Sequence, residues 1–398
     1  RQNEGLLWTR GDLNPGPLHG SEQPSAALRP PRLASPRAHE GTRGLPTPEY
    51  EDARRRSATE VRQPMNATPP RDAMNRYLND KANDVTDSTL SNYETTLRKF
   101  VGWLEDADIT NLNNLTSDDI QQFKEWRQEQ VKTITLKTDM TCVKDFVRFC
   151  EHINAVAKDL RMMVRIPKPD DSEEVADAVL TKKEASQIID YLDKHEYATL
   201  RHVIVLLLWK TGMRRSSLYA LDTDDIEDGS RPYLRVRHRP ETETPLKNKA
   251  KGERDIRISG EVASVLRDYL RFNHPGGEDE HGRTPLLMSS HGKRCEPTTI
   301  QRNIYTATRP CHYTGGCPMG RDLQECEATS YNTASKCPAS VSPHALRRGY
   351  VTEALNAGQP KDVTADRVDM SREVMDKHYD KATKNEQMER REDYLVDV

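Results

Sequence analysis

The chain has 398 residues, enough for two or three domains with their own apolar cores. Mean hydropathy is −0.87 and 31% of residues are charged, and no apolar run approaches the length of a membrane span. The N-terminal residues also lack the basic-then-apolar pattern of a secretory signal, so the expectation is an intracellular, cytoplasmic protein with no membrane partner. The formal net charge of −3 decides nothing about nucleic acid, because a phosphate-binding groove needs a local cluster of cations and not a basic average.

Residues 1–64 hold nine of the 24 prolines and no periodic apolar pattern, which predicts disorder. Within them "RGDLNPGP" (Arg10 to Pro17) is compatible with a coding sequence whose complement contains GGTTCAAG, the TΨC arm of a tRNA gene. One expectation is therefore a translated tRNA-gene remnant ahead of a natural start at Met65; an ordinary linker is the plainer reading. Residues 72–164 read as a small helical bundle. Leu90, Tyr93, Leu97, Phe100, Val101 and Leu104 share one stripe; Met140, Val143, Phe146, Val147 and Cys150 share another. Thr116 or Ser117 opens a further helix with a capping signal. Lys99, Lys132, Lys137 and Arg148 are candidates for backbone phosphate contact, or else a solvated face. A proline-bearing acidic linker follows at 165–179.

The second domain, 180–398, begins with two helical patterns, the second of them buried throughout. "RPYLRVRHR" and "ERDIRIS" read as strands joined through "PETETPLKNKAKG". Helices are expected at Gly260 to Phe272 and Thr298 to Thr308, and the remainder is helical. The fold class is thus mainly α with a small β-sheet. "SPHALRRGYVTEAL" presents a puzzle: a helix with an apolar face opens on His344, Arg347 and Arg348. Such groups rarely go inside unless an anion meets them.

Arg214 after a buried helix, a lysine between strands, His344-x-x-Arg347 and a late Tyr379, in that order, resemble the tyrosine recombinases of the phage integrase and Xer type, including their archaeal members. His344 and Arg347 are three residues apart, Arg347 and Asp369 22, and Asp369 and Tyr379 ten. The resemblance covers roughly residues 72 to 396. It implies a helical core-binding (SAM-like) domain that binds DNA, followed by a recombinase catalytic domain. It further implies cleavage of double-stranded DNA at attachment sites through a 3′-phosphotyrosine, four protomers on a Holliday junction, and no catalytic cofactor.

By that resemblance Tyr379 is the nucleophile and Arg214 and Arg347 grip the phosphate. His344 positions the phosphate or handles the Tyr379 proton. Lys247, with Lys249 as second choice, is the general acid. The residue types suit the chemistry: a phenolate stores the bond energy as a phosphotyrosine, and planar guanidinium forks match phosphate oxygens. Two positions depart from the pattern. Asp369 stands where the family has His or Trp; it acts through water, orients His344 or an arginine, or caps the helix starting near Ser371, the favoured reading. Ser217 stands where the family often has Glu. A type IB topoisomerase, or a decayed integrase acting as a DNA-binding accessory protein, is the rival reading. Thr383 to Val396 is expected as a terminal amphipathic helix able to dock on a neighbouring protomer.

Seven cysteines are present. Cys142 and Cys150 read as small core residues. Cys311, Cys317, Cys326 and Cys337 crowd into an insertion at 310–341, just ahead of His344. In an intracellular protein such a set points to a structural zinc site and not to disulfides; incidental cysteines in a loose loop are the alternative.

Overall fold

The computed structural model describes residues 66–170, 178–392 and 395. The expectations for residues 1–64, including the tRNA remnant and the start at Met65, lie outside the described residues, as does the middle of the linker.

Four helices build the N-terminal bundle: α1 Pro70–Lys81, α2 Asp87–Asp106, α3 Ser117–Gln128 and α4 Thr133–His152; a short turn, α5 Leu160–Met163, follows. The start signals are chemical. The Thr86 side chain accepts from the Thr89 amide to cap α2, and Thr116 forms a reciprocal capping box with Asp119 on α3. The two expected stripes meet inside. Leu97, Phe100, Val101 and Leu104 pack with Met140, Val143, Phe146, Val147 and Cys150, while Leu90 and Tyr93, nearer the α2 start, are only half-buried. Phe100 and Phe123 meet edge-on with centroids 4.8 Å apart. A buried polar cluster enters this core. Asp139 accepts from Arg127 Nε at 2.8 Å and from the Thr96 hydroxyl at 3.1 Å, so its charge is paired and hydrogen-bonded.

The second core gathers around α7, Leu200–Thr211, whose Val203 to Leu208 are all buried. Helix α6, Lys182–His195, covers it after a Thr181–Glu184 capping box. Gly212 then adopts φ 63° and ends α7. A side chain there is excluded twice, since a Cβ would lie 2.2 Å from the Tyr350 ring. A short helix, α8 Arg215–Tyr219, leads to a three-stranded antiparallel sheet of β1 Ile226–Glu227, β2 Tyr233–Val236 and β3 Arg254–Arg257. The observed strands are shorter than the expected ones, and β1, two residues long, was not expected. In the β2–β3 register Leu234 faces Ile256, and both are buried against the core. Helix α9, Gly260–Phe272, follows the sheet. Buried Asp222 binds Arg283 and Arg294, at 2.5 and 2.7 Å, and so ties the turn before the sheet to the segment beyond α9.

Helices α9 and α10, the latter Pro297–Thr308, agree with the sequence pattern to within a residue. The insertion holds one short helix, α11 Pro310–Thr314, and two 3-10 segments, Glu327–Thr329 and Tyr331–Lys336. The last helices are α12 Pro343–Asn356, α13 Lys361–Val368, α14 Arg372–His378 and α15 Lys384–Glu389. The terminal helix is thus shorter than the expected span. It folds back on its own chain: Arg390 donates to Asn356 at 2.7 Å and to Asp380 at 2.9 Å, and Asn356 donates to Glu386 at 3.0 Å. Among the described residues no helix is long and apolar enough to cross a membrane.

Candidate active site

Arg347 answers the puzzle posed by α12. It is 1% exposed and the largest fully buried side chain among the described residues. Its Nη1 donates to the Gly212 carbonyl at 2.6 Å, so the left-handed turn after α7 supplies a fixed anchor. Its Nε and Nη2 are buried with no well-formed hydrogen bond, and the Tyr379 side chain interacts with the guanidinium. Burial, then the neighbouring Arg214, pushes its pKa down to about 10. Such a group has high demand for an anion.

Arg214 is the residue ahead of α8, placed there by the Gly212 turn, and its Nη1 binds the Asp369 carboxylate. The two side chains are 15% and 14% exposed. The other Asp369 oxygen accepts from Asn248 Nδ2 at 2.8 Å. Gly252 leaves room for this carboxylate, since a Cβ there would come within 3.2 Å of it. The capping reading of Asp369 is corrected here. Ser371 caps α14 with its own side chain, accepting from the Val374 amide, while Asp369 ends α13 in the left-handed region at φ 55°. Its carboxylate is directed to Arg214, one of the alternatives the sequence left open. Ser217 lies buried in α8.

Tyr379 follows α14, with its hydroxyl 3.4 Å from His344 Nδ1. The guanidinium carbons of Arg347 and Arg348 lie 5.3 and 5.8 Å from its ring centroid. Arg348 also donates to the His378 carbonyl at 3.0 Å, tying α12 to the residue before Tyr379. His344 has an edge open to solvent, yet its pKa is pushed down to about 4. The surrounding protein is the largest cause, followed by repulsion from Arg348, Arg347, Lys247 and Arg215. Lys247, in the β2–β3 connection, is therefore within electrostatic reach of His344. Lys249 is exposed and carries a positive φ of 53°.

The structure thus brings Tyr379, His344, Arg347, Arg214 and Asp369 together, with Lys247 close by. Two participants were not read from the sequence. Asn248 holds Asp369, and Arg254 on β3 donates to the Arg367 carbonyl at 2.9 Å and the Gly252 carbonyl at 2.8 Å. Burial pushes Arg254 down to about 10, and its Nη2 has no partner. Its cue was faint: a charged residue at the start of an otherwise ordinary strand. In the bundle, Lys137 and Arg148 line a groove of about 1080 Å³ together with Lys81, Lys144 and Arg161, whereas Lys99 and Lys132 are not among its lining residues. At the insertion Cys311, Cys317, Cys326 and Cys337 are half-buried free thiols.

Comparison with known proteins adds a family context. The Phage integrase family model matches residues 178–386, and the Phage integrase N-terminal SAM-like domain matches residues 75–153. The chain is similar to Tyrosine recombinase XerC of Herpetosiphon aurantiacus, with 24% identity over 214 residues, 53% of this chain and 65% of that protein. It is also similar to Tyrosine recombinase XerC of Mycobacterium sp. (strain JLS), with 23% identity over 297 residues, 72% of this chain and 85% of that protein. The fold is similar to that of a lambda integrase tetramer solved bound to a Holliday junction. The TM-score is 0.57 at 16% identity, covering 84% of this chain and 87% of that one.

Proposed function

The chain belongs to the phage integrase family, whose model matches residues 178–386, more than half of its length; from that premise we propose that it is a site-specific DNA recombinase that cuts and rejoins double-stranded DNA through a 3′-phosphotyrosine. The observation that carries this reading is the pair of buried Arg347 nitrogens, with no well-formed hydrogen bond, beside the Tyr379 ring. A phosphate oxygen is the ligand that satisfies them.

The Tyr379 oxygen attacks the scissile phosphorus and forms an O–P bond as the bond to the 5′ oxygen breaks. The phenolic proton passes to His344, the nearest base, at 3.4 Å. The departing 5′ oxygen takes a proton from Lys247. Arg214 and Arg347 hold the non-bridging oxygens, where negative charge accumulates. Asp369 is a positioning residue. It fixes the Arg214 fork, and through Asn248 it holds the residue beside Lys247. Reversal by an incoming 5′ hydroxyl rejoins the strand without metal, water or nucleotide. The N-terminal groove supplies sequence-independent phosphate contacts. Four protomers act on a junction intermediate, by analogy with the lambda integrase tetramer, and the work is done in the cytoplasm. Release of α15 from Asn356 and Asp380 would free it to reach a neighbouring protomer.

A plasmid carrying two copies of the cognate attachment site tests this assignment. The expected result is recombinant product whose yield depends on both sites. Relaxation of site-free plasmid without exchange would replace the reading with a type IB topoisomerase. Binding with neither outcome would point to an accessory protein.

A further inference from the structure

We propose that Cys311, Cys317, Cys326 and Cys337 form a structural zinc site that holds the insertion together where it packs on α10, just ahead of α12. The first observation is what the insertion turns inward. From Thr314 to Pro338 only Cys317, Leu323, Cys326, Ala328, Thr333, Ala334 and Cys337 are not exposed. Two alanines are the sole fully buried apolar side chains of the segment. A stretch of this length with so little apolar surface inside does not order itself by burial, and small units of this kind need a staple.

The second observation is backbone geometry. Cys317, Cys326 and Cys337 each head a tight turn whose carbonyl accepts the amide three residues on, from Gly320 at 3.0 Å, Thr329 at 3.0 Å and Ser340 at 3.2 Å. Three of the four thiols therefore leave the chain from equivalent places. Cys311, the fourth, is on α11 and feels Cys337, Cys317 and Cys326 electrostatically, so the set shares one neighbourhood. Arg309, buried beneath it and donating to the Ala328 carbonyl, lies close enough to offset part of a thiolate charge. His312 is otherwise engaged, with Nε2 2.9 Å from Glu196, which leaves four sulfurs as the ligand set.

No three of these sulfurs lie within 4.8 Å of one another. A tetrahedral zinc held by four thiolates, with bonds of about 2.3 Å, needs sulfurs about 3.8 Å apart, so binding contracts the insertion. Four thiols lose their protons as Zn²⁺ is taken up, giving a tetrathiolate of net charge −2 and four released protons. The functional link is short. The insertion ends at Val341, whose amide donates to Thr308 at 3.0 Å, and three residues later stands His344. The site does not depend on the reaction assigned above.

The test uses the full chain, purified under reducing conditions without added metal and then loaded with Zn²⁺ or Co²⁺ alone. The expected results are one zinc per chain, thiolate-to-cobalt charge transfer with tetrahedral ligand-field bands, and a protease-sensitive insertion after chelation. Cys326→Ser and Cys337→Ser should each lower affinity for the metal at least tenfold, while Cys295→Ser, outside the insertion, retains it. No stoichiometric zinc and no cobalt bands would overturn the proposal. Stoichiometric metal retained when all four cysteines are replaced, or disulfides between them in the protein from reducing cells, would overturn it equally.

Discussion

Replacing Asp369 by Asn separates two things the carboxylate does. It removes one negative charge from beside the phosphate site, and it weakens the anchor on Arg214. The pair is partly buried, at 15% and 14% side-chain exposure. A hydrogen bond between charged groups in such a place is worth about 1–3 kcal/mol after solvent screening. Loss of that anchor lets the guanidinium wander, and misplacement of a catalytic group by about 1 Å costs about 100-fold in rate. Adduct formation on a nicked attachment-site duplex should therefore fall roughly 10- to 100-fold, equivalent to about 1.4–2.7 kcal/mol of barrier. DNA affinity should hold or rise, and the salt dependence of binding should steepen, because one anion near the backbone is gone. Gel-shift titrations over a salt series and single-turnover cleavage measure the two effects on the same protein. If the variant cleaves as fast as the parent or faster, the positioning role is wrong and Asp369 is a brake that competes with DNA for Arg214.

Two further predictions concern charge and stability. His344, at about 4 in the free protein, is neutral through pH 5–7. A bound phosphate offsets the repulsion from Arg347 and Arg348 and raises that value, so binding takes up a proton at the acid end of this range while His344 stays neutral, and able to act as a base, near pH 7. The DNA affinity of the parent should climb as pH falls from 7 to 5, more steeply than that of His344→Gln; equal slopes would refute the linkage. The same depressed value means that His344's contribution to stability is whole above its unfolded pKa of about 6.5 and is lost as pH falls towards about 4. In the bundle, Asp139→Ala leaves Arg127 buried and unpaired and should cost about 3–5 kcal/mol, read as a lower midpoint in urea. A loss below about 1 kcal/mol would mean that Arg127 finds water instead.

Much of the fold was legible because its cues are local and periodic. The stripes of α2 and α4 repeat every three or four residues, and the Thr116 cap and the end of α7 at Gly212 are set within a single turn of chain. The pairing of Arg214 with Asp369 does not. It joins residues 155 positions apart, and close to Asp369 stands Ser371, a good cap in its own right. Local reasoning therefore assigned the aspartate to a nearby helix end. Strand β1 was missed because two residues carry no alternation. Arg254 and Asn248 were missed for a related reason: each looks ordinary until the β2–β3 connection folds over α13. The four site residues Tyr379, His344, Arg347 and Arg214 were legible because a shared order of motifs resembles a known family. Their geometry adds what order cannot, namely which arginine nitrogens are left without a well-formed hydrogen bond.

Covalent trapping tests the central claim most directly. The protein and its Tyr379→Phe variant are incubated, with no metal added to the buffer, with a nicked duplex bearing the cognate attachment site, then denatured. The account predicts a protein–DNA adduct, joined through Tyr379 to the 3′ phosphate, that survives denaturation and is absent from the variant. An adduct that persists in the variant would contradict it, because the nucleophile would then be another residue.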